Sequence, residues 1–385
     1  MKIELTPQQE EYRNEFRIFV DAEIVPHASR FDEEERTPGE LVRKLARRGY
    51  LGAALPRQCN GLGLDMVTFG LLNEELGRGC SSVRSLLTVH SMVAHAIQKS
   101  GNRQQKEYWL PQLALGERIA AFALTEPDVG SNANSVQTSA TVSGDSYVLN
   151  GHKKWITYGQ LADVFLVIAQ CDGQVCAFLV ERDSPGVFIE PVFGMLGLRA
   201  SMTAELHLTD CRIPKENLIG RICAGFTFAA SAALDHGRYS VACGSVGIGE
   251  GCLQACVRYV NERKQFGVYL REHQLIQELL TNMIVSVKAA RLLCYNAGCL
   301  RDNKEPSAIM ETTMAKYFAS TMAFRVAGDA VQIHGANGCS ASSPVQRYLR
   351  DAKILEIIEG SNQMQQITIG NYAADLYAPS FQDQL

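Results

Sequence analysis

The sequence predicts an α+β protein of several domains: an all-helical N-terminal domain, a middle β-domain of barrel or sandwich type, and a C-terminal helical bundle. Three observations predict it. Apolar residues recur at helical spacing to about residue 115, the period falls to two between about 118 and 225, and helical spacing returns from about 226 onward. A chain of 385 residues accommodates three such parts at roughly 100–200 residues per domain. The expected boundaries are 1–117, 118–225 and 226–385.

Each element has a local reason. Thr6-Pro7 with Gln9 forms a capping box ahead of Tyr12, Phe16, Phe19 and Val20. Thr37-Pro38 with Glu40 repeats the start signal, Leu41 and Leu45 form the apolar face, and Gly49 is the stop. Asn60-Gly61-Leu62-Gly63 breaks the helical run. Strands are expected at Ser139 to Ser143, Ser146 to Leu149 and Lys154 to Thr157, with turns at Gly144-Asp145 and at Asn150-Gly151, a strong hairpin signal. Val164 to Ala169 and Ala177 to Val180 read as buried strands about Asp172-Gly173, and Pro127, Pro185, Pro191 and Pro214 fall in connections. In the last third, Leu275, Leu279, Met283 and Val287 share one helix face, as do Met310, Met314, Tyr317 and Thr321. Pro306-Ser307 opens this second helix and Gly335-Ala336-Asn337-Gly338 closes it.

Composition removes several function classes. Lys+Arg of 37 against Asp+Glu of 41 leaves a net charge of −4, which excludes a general nucleic-acid binder and a polybasic membrane face. The twelve cysteines include no C-x-x-C; the nearest pairs are Cys171/Cys176, Cys252/Cys256 and Cys294/Cys299. They read as small buried hydrophobes in a reducing compartment. Met1-Lys2-Ile3-Glu4-Leu5 carries neither a secretory core nor an Arg-rich transit helix, and runs such as Val164 to Ala169 are far shorter than a bilayer, so a cytoplasmic location without a membrane is expected. H-E-x-x-H, G-x-S-x-G and the phosphate-loop motif are absent. The eight histidines show no metal-ligand spacing with carboxylate support, His90 and His95 fall on different helix faces, and no metal is expected. Gly247-Ile248-Gly249-Glu250-Gly251 follows no strand and reads as close helix packing, not as a dinucleotide loop.

Four segments carry chemistry together: Phe122 to Ser131, Trp155-Ile156-Thr157, Arg263-Lys264-Gln265-Phe266-Gly267 with His273-Gln274, and Gln332 to Gly338 with Arg350 to Lys353 and Ile357 to Gln363. In this order they resemble the acyl-CoA dehydrogenase family of flavoproteins from about residue 5 to 372. The resemblance implies FAD as cofactor, in a cleft between the β-domain and the C-terminal helices. Phe122, Leu124, Thr125, Gly130 and Ser131 match the stretch lining the isoalloxazine, and Trp155, Ile156 and Thr157 match its other side. Taken alone, Trp155 would read as β-domain core. Arg263, Gln265, Phe266, His273 and Gln274 match the segment gripping the dinucleotide from a neighbouring subunit, where a guanidinium fork suits phosphate oxygens. Taken alone, Arg263 would read as a solvated helix-end arginine. Gln332, Ile333 and Gly335 match a loop meeting the same dinucleotide, and Ser361 and Gln363 match polar positions reaching FAD. A homodimer or homotetramer is implied.

Glu359 matches the catalytic base. Removing the weakly acidic α-hydrogen of a thioester needs a held carboxylate and help at the carbonyl. Ile354, Leu355, Ile357 and Ile358 supply low polarity that raises its pKa, and flavin N5 takes the β-hydrogen. Glu356, its neighbour, is expected to pair with a nearby cation. Ser131, Asp235, Arg238 and Gly360 match substrate-side positions, Asp235 and Arg238 as an Asp-x-x-Arg that steadies the helix turn and the carrier arm. Cys80 to Leu86 and Ile357 to Met364 most resemble a branch serving polyketide and mixed peptide–polyketide assembly lines. That branch includes the hydroxymalonyl-type dehydrogenase acting on an acyl carrier protein for methoxymalonyl extender units. Within it Glu359 would act on a Cα–H or on an aldehyde hydrate. An ordinary acyl-CoA dehydrogenase of catabolism is the alternative, and a flavin-free scaffold a third reading. An electron acceptor, either electron-transferring flavoprotein or oxygen, is implied as partner.

Overall fold

The computed structural model describes residues 4–222 and 225–378, so the Met1–Ile3 part of the leader reading lies outside the described residues. Helix α1 (Pro7–Glu23) opens on the expected capping box, with Gln9 N donating to Thr6 Oγ1 at 3.3 Å and Thr6 N to Gln9 Oε1 at 3.0 Å. Helices α2 (Ala28–Glu33), α3 (Gly39–Arg47), α4 (Met66–Gly79), α5 (Ser81–Ser100) and α6 (Arg103–Leu115) follow. Thr37 does not cap α3. Its buried hydroxyl donates to Ala200 O at 2.8 Å and meets Tyr158 Oη at 2.8 Å, so the tertiary contact takes the group the cap would have used.

The strands are β1 (Ala120–Ala123), β2 (Ser139–Ser143), β3 (Ser146–Ile156), β4 (Val164–Cys171), β5 (Gln174–Glu181), β6 (Val187–Pro191), β7 (Ala204–Pro214) and β8 (Leu218–Ile219). They form one eight-stranded sheet in the order β6-β7-β3-β2-β4-β5-β8, with β1 parallel to β4. Phe165, Val167 and Ala169 of β4 point into the sheet's own core while Val164, Leu166 and Ile168 point into the helical core. Burial on both faces explains the unbroken apolar run. The turn at Gly144-Asp145 is where the sequence put it, but Asn150-Gly151 is not a turn. Asn150 Oδ1 accepts from Asp210 N at 2.8 Å, the β3–β7 register slips between Leu149 and Gly151, and β3 runs on to Ile156. A Cβ at Gly151 would lie 2.4 Å from Thr138 Oγ1, so the glycine serves a close approach within a bulged strand.

A π-helical turn over Gly225–Ala230 leads into α7 (Ser231–Glu262). The hairpin of β9 (Lys264–Gln265) and β10 (Val268–Tyr269) connects α7 to α8 (Gln274–Asp302), and α9 (Ala308–His334), α10 (Pro344–Leu355) and α11 (Asn362–Leu376) complete the bundle. The glycine-rich run is helix packing, as its sequence context implies. A Cβ at Gly247 would sit 2.0 Å from Glu74 O on α4, and one at Gly77 would sit 2.4 Å from Gly244 O. On α9 the core-facing stripe is Thr312, Ala315, Ala319 and Ala323, whereas Met310, Met314 and Tyr317 lie at its margin and Thr321 is exposed. Small side chains bring α9 against α7, and the larger residues are displaced to the flank. On α8, Met283 and Val287 are buried but Leu275 is 75% exposed. By length and composition α7 and α8 would each be able to span a bilayer, a property spread over interrupted helices that a search for unbroken apolar runs misses; α7 is largely buried inside the protein. Eight of the described cysteines are buried, as small hydrophobes.

Gly247→Ala forces a methyl onto the α4 backbone and is expected to lower stability by about 1–3 kcal/mol, read from urea unfolding of the flavin-loaded protein.

Candidate active site

After α10 the backbone turns left-handed at two consecutive residues, Glu359 (φ 56°) and Gly360 (φ 85°). A glutamate in that region is uncommon, and surrounding hydrogen bonds hold it there. Arg238 Nε donates to Glu359 O at 3.1 Å. Lys316 Nζ donates to Gly360 O and Asn362 Oδ1, each at 2.9 Å, and Gln365 Nε2 donates to Gly360 O at 3.1 Å. Ser361 caps α11 by accepting from Met364 N at 3.4 Å. The clamp turns the carboxyl inward. A Cβ on Gly237 of α7 would lie 2.7 Å from Glu359 Oε2 and 2.7 Å from Met92 Sδ, so only glycine leaves room for the group.

Glu359 Oε2 is buried and has no hydrogen-bond partner. Burial pushes the carboxyl up to about 7, although Arg238, Lys316 and Arg84 all pull the other way. The low polarity comes from Met92, the α7 backbone and buried Leu355; Ile357, expected to contribute, is exposed. Lys316 is itself pushed down to about 7 by burial. Glu356 is no rival, because Lys353 Nζ holds its carboxylate at 2.8 Å. Asp235 departs from its expected role beside Arg238: both Arg301 Nη atoms bind its Oδ2 at 2.7 Å, tying α7 to α8.

The Phe122–Ser131 segment is anchored from beneath. Buried Glu126 accepts from Thr138 N at 2.9 Å, Thr138 Oγ1 at 2.6 Å and Lys153 Nζ at 2.7 Å, and Lys153 also donates to Leu124 O at 3.0 Å. Burial lowers the Lys153 pKa to about 8 against the pull of Glu126. Above this anchor Thr125 is half-buried, Ser131 is exposed, and a Cβ at Gly130 would meet nothing within 4 Å. Trp155 (φ 60°) is 47% exposed, with Lys154 Nζ 4.8 Å from its ring centre, so the core reading of this residue is wrong. Ile156 is different: its side chain sits in the sheet core, which leaves only its backbone for a ligand. Leu124 is buried, Phe122 partly so, and Thr157 half-buried.

The remaining predicted cofactor residues gather at the opposite end of α7. Arg263, Gln265 and Phe266 lie on the exposed hairpin, with His273 Nε2 3.3 Å from Gln265 O and Gln274 exposed beyond it. Tyr259 stacks on His334 at 4.4 Å, which brings the exposed Gln332 and Gly335 to the same end; Ile333 is buried in the core and offers no side chain to a ligand. Arg263 is 25 residues beyond Arg238, about 37 Å along the helix. One chain therefore does not bring the two groups together. Gln363 is exposed beside Ser361.

Sequence reading passed over Gly237, Lys316, the Glu126–Lys153 pair and a histidine cluster. Lys316 had a visible signal, a lysine within the Thr312, Ala315, Ala319 stripe of α9. In the cluster, His152 and His207 are direct cross-strand partners on β3 and β7, and their ligand atoms and that of Glu205 lie within 4.8 Å of one another. Carboxylate support for a histidine pair therefore exists in space though not in sequence spacing. Glu205 is already held by His152 Nε2 at 2.5 Å and Lys154 Nζ at 3.1 Å.

An unpaired carboxyl in a dry, positively charged setting, with an open polar loop on the neighbouring sheet, is machinery for proton abstraction beside a bound cofactor. Models of the acyl-CoA dehydrogenase N-terminal, middle and C-terminal domains match residues 6–117, 121–211 and 224–373. The rat (Rattus norvegicus) mitochondrial short-chain specific acyl-CoA dehydrogenase is 38% identical over 97% of this chain and 92% of its own. Butyryl-CoA dehydrogenase from Megasphaera elsdenii superposes with a TM-score of 0.94 at 35% identity, covering 97% of this chain and all of its own. A glutaryl-CoA dehydrogenase from Mycobacterium smegmatis, solved with FADH2, gives 0.92 at 31% over 98% and 96%. FkbI, for biosynthesis of the methoxymalonyl extender unit of Fk520, gives 0.87 at 31% over 95% and 99%. The fold and site thus define an FAD-dependent dehydrogenase of acyl thioesters. The chain belongs to the acyl-CoA dehydrogenase family.

A base must be ionised to take a proton, so kcat/KM is expected to rise with pH through about 7. A carboxyl whose folded pKa exceeds its unfolded value costs stability as pH rises between the two. Glu359→Gln is therefore expected to melt higher than the parent protein at pH 8, with the gap closing below pH 4.5.

Proposed function

We propose that the protein catalyses α,β-dehydrogenation of a short acyl-CoA thioester, with Glu359 as the base. The observation that carries this is the buried, unpartnered Oε2 of Glu359 in the notch left by Gly237. The short-chain acyl-CoA dehydrogenases, 36–38% identical to this chain over almost all its length, support the CoA thioester as the carrier. Oε2 takes the α-proton, and burial keeps that oxygen unsolvated and poised near neutrality. Bound FAD supplies the hydride acceptor for the β-hydrogen. The residues fit such a group: Gly130 and Gly335 leave open space, and the Thr125, Ser131 and Thr157 hydroxyls and exposed Trp155 can hold a ring system with polar edges. Gly360, Arg238 and Ser131 complete the substrate side in this reading.

Arg263, Gln265, Phe266, His273, Gln274, Gln332 and Gly335 would then serve a cofactor whose reactive end lies in another copy of the chain, because about 37 Å separates them from this copy's Arg238. We also propose, on the same reading, a homodimer or homotetramer of the three-part chain (1–117, 118–225, 226–385), a cytoplasmic location and an external electron acceptor. Phe266 is 96% exposed and α8 presents Ile284, Val285 and Leu292 to solvent, apolar surface of the kind a partner copy covers. A second reading, the same chemistry on an acyl carrier protein, is favoured by the likeness to FkbI and by the Cys80–Leu86 segment.

Glu359→Gln should retain FAD yet lose reductive bleaching by substrate, with a rate at least about 10²-fold lower; stopped-flow absorbance checks it. Butyryl-CoA and a butyryl carrier protein, offered in parallel, separate the two carriers. Arg263→Ala should release FAD on gel filtration and melt lower, with added FAD restoring the lost stability as RT ln(1 + [L]/Kd).

A further inference from the structure

Strands β3 and β7 gather a set of polar side chains that the chemistry at Glu359 does not use. Alternation along β7 puts Leu206 and Leu208 in the sheet's core and Glu205 and His207 on the opposite face. On β3, His152 and Lys154 flank the inward-facing, fully buried Lys153 and share that same face. His152 and His207 are direct cross-strand partners, and their rings stack with centres 4.1 Å apart and planes 20° from parallel. One ligand atom from each of His152, His207 and Glu205 lies within 4.8 Å of the other two. Among the described residues this is the sole triad of histidine, cysteine, aspartate or glutamate so arranged.

The bonding around this triad is incomplete. His207 Nε2 is buried and has no hydrogen-bond partner, and Glu190 Oε2 on the neighbouring β6 stands 3.5 Å from it without forming a hydrogen bond. His152 Nε2 is 2.5 Å from Glu205 Oε2, while Lys154 Nζ is 3.1 Å from Glu205 Oε1. Lys154 thus takes one carboxylate oxygen and leaves the other turned to the histidines. A buried nitrogen left unpaired costs about 1–3 kcal/mol, a cost that an ion bonded to it removes. Both rings are about one-third exposed, so an ion reaches them from solvent.

We propose that His152, His207 and Glu205 form a binding site for a divalent transition-metal ion of the zinc class, with Glu190 or water completing its coordination. The inference stands whatever thioester the enzyme takes. Two imidazole nitrogens with one carboxylate oxygen are a donor set that zinc favours, whereas magnesium and calcium take oxygen ligands. Ligand atoms on one tetrahedral zinc are about 3.4 Å apart at bond lengths of about 2.0–2.1 Å, so shifts of roughly 1 Å bring the triad onto an ion. The hydrogen between His152 Nε2 and Glu205 Oε2 gives way to the ion, and each imidazole binds in its neutral form. No bond is made or broken in the flavin chemistry. The ion cross-links β3 to β7 just ahead of the register slip between Lys153 and Ile156, the stretch that carries Trp155.

The test uses the flavin-loaded protein after dialysis against a chelator. Zn²⁺, titrated in competition with a chromophoric chelator, should bind stoichiometrically with a Kd on the order of 1 μM or below. Co²⁺ should give the visible absorption of a four-coordinate site, and excess Mg²⁺ should displace neither ion. Zn²⁺ should also raise Tm, following RT ln(1 + [L]/Kd). His152→Gln and His207→Gln should each weaken Zn²⁺ by more than the roughly 10- to 100-fold that loss of a supporting partner costs, and should abolish the gain in Tm. His27→Gln, at an exposed histidine outside the triad, should leave both unchanged. Lys154→Gln removes a cation from beside Glu205 and should bind Zn²⁺ more tightly than the parent, a gain that no folding defect produces. Absence of stoichiometric binding by the parent, equal affinity in the parent and both triad histidine variants, or displacement by Mg²⁺ overturns the proposal.

Discussion

The structure is organised around holding one carboxyl group out of water without giving it a partner. Left to itself, a glutamate on a polar loop would turn to solvent. Here the two carbonyls of Glu359 and Gly360 are seized by Arg238, Lys316 and Gln365, and the left-handed backbone this imposes points the side chain into the notch at Gly237. The cost of drying the carboxyl exceeds the attraction of three nearby cations, which is why its pKa moves up and not down. The cations act mainly through backbone bonds: Lys316 and Arg238 grip carbonyl oxygens and leave the carboxylate oxygens free.

The clamp needs a rigid frame, and α7 provides it. Gly77 on α4 and Gly247 on α7 let the two helices approach to backbone contact, while the small residues of α9 close the other side of α7. The sheet is held to the same frame through interface hydroxyls and ion pairs. Thr37 bridges Tyr158 and Ala200, Asp351 Oδ1 accepts from Leu198 N at 2.7 Å, and Arg350, itself paired with Asp32 of α2, donates through Nη1 to Leu196 O at 3.0 Å. Beneath the Phe122–Ser131 loop, the Glu126–Lys153 pair plays the corresponding part, fixing a polar rim from a dry interior.

Much of this was legible in the sequence. The three textures, the Thr6 capping box, the Asp172-Gly173 turn, the glycine run and Glu359 itself all follow from local pattern or motif. What escaped had a common cause. Thr37 and Asn150 carry strong local signals, for a cap and a turn, that tertiary partners outbid. His152 and His207 meet only because β3 and β7 pair in one register, and the Glu359 environment comes from Met92 and α7, not from its sequence neighbours. Ile156 and Ile333 sit inside motifs yet turn into the core, because a motif marks a stretch of backbone and alternation decides which side chains face the ligand.

The notches of α7 also bear on how such an enzyme can diversify. Gly237, Gly244 and Gly247 put the room for the base, the room for Arg84 and the seat of α4 within three turns of a single helix. A side chain added on that wall disturbs folding and chemistry at once, so it is closed to evolutionary tinkering.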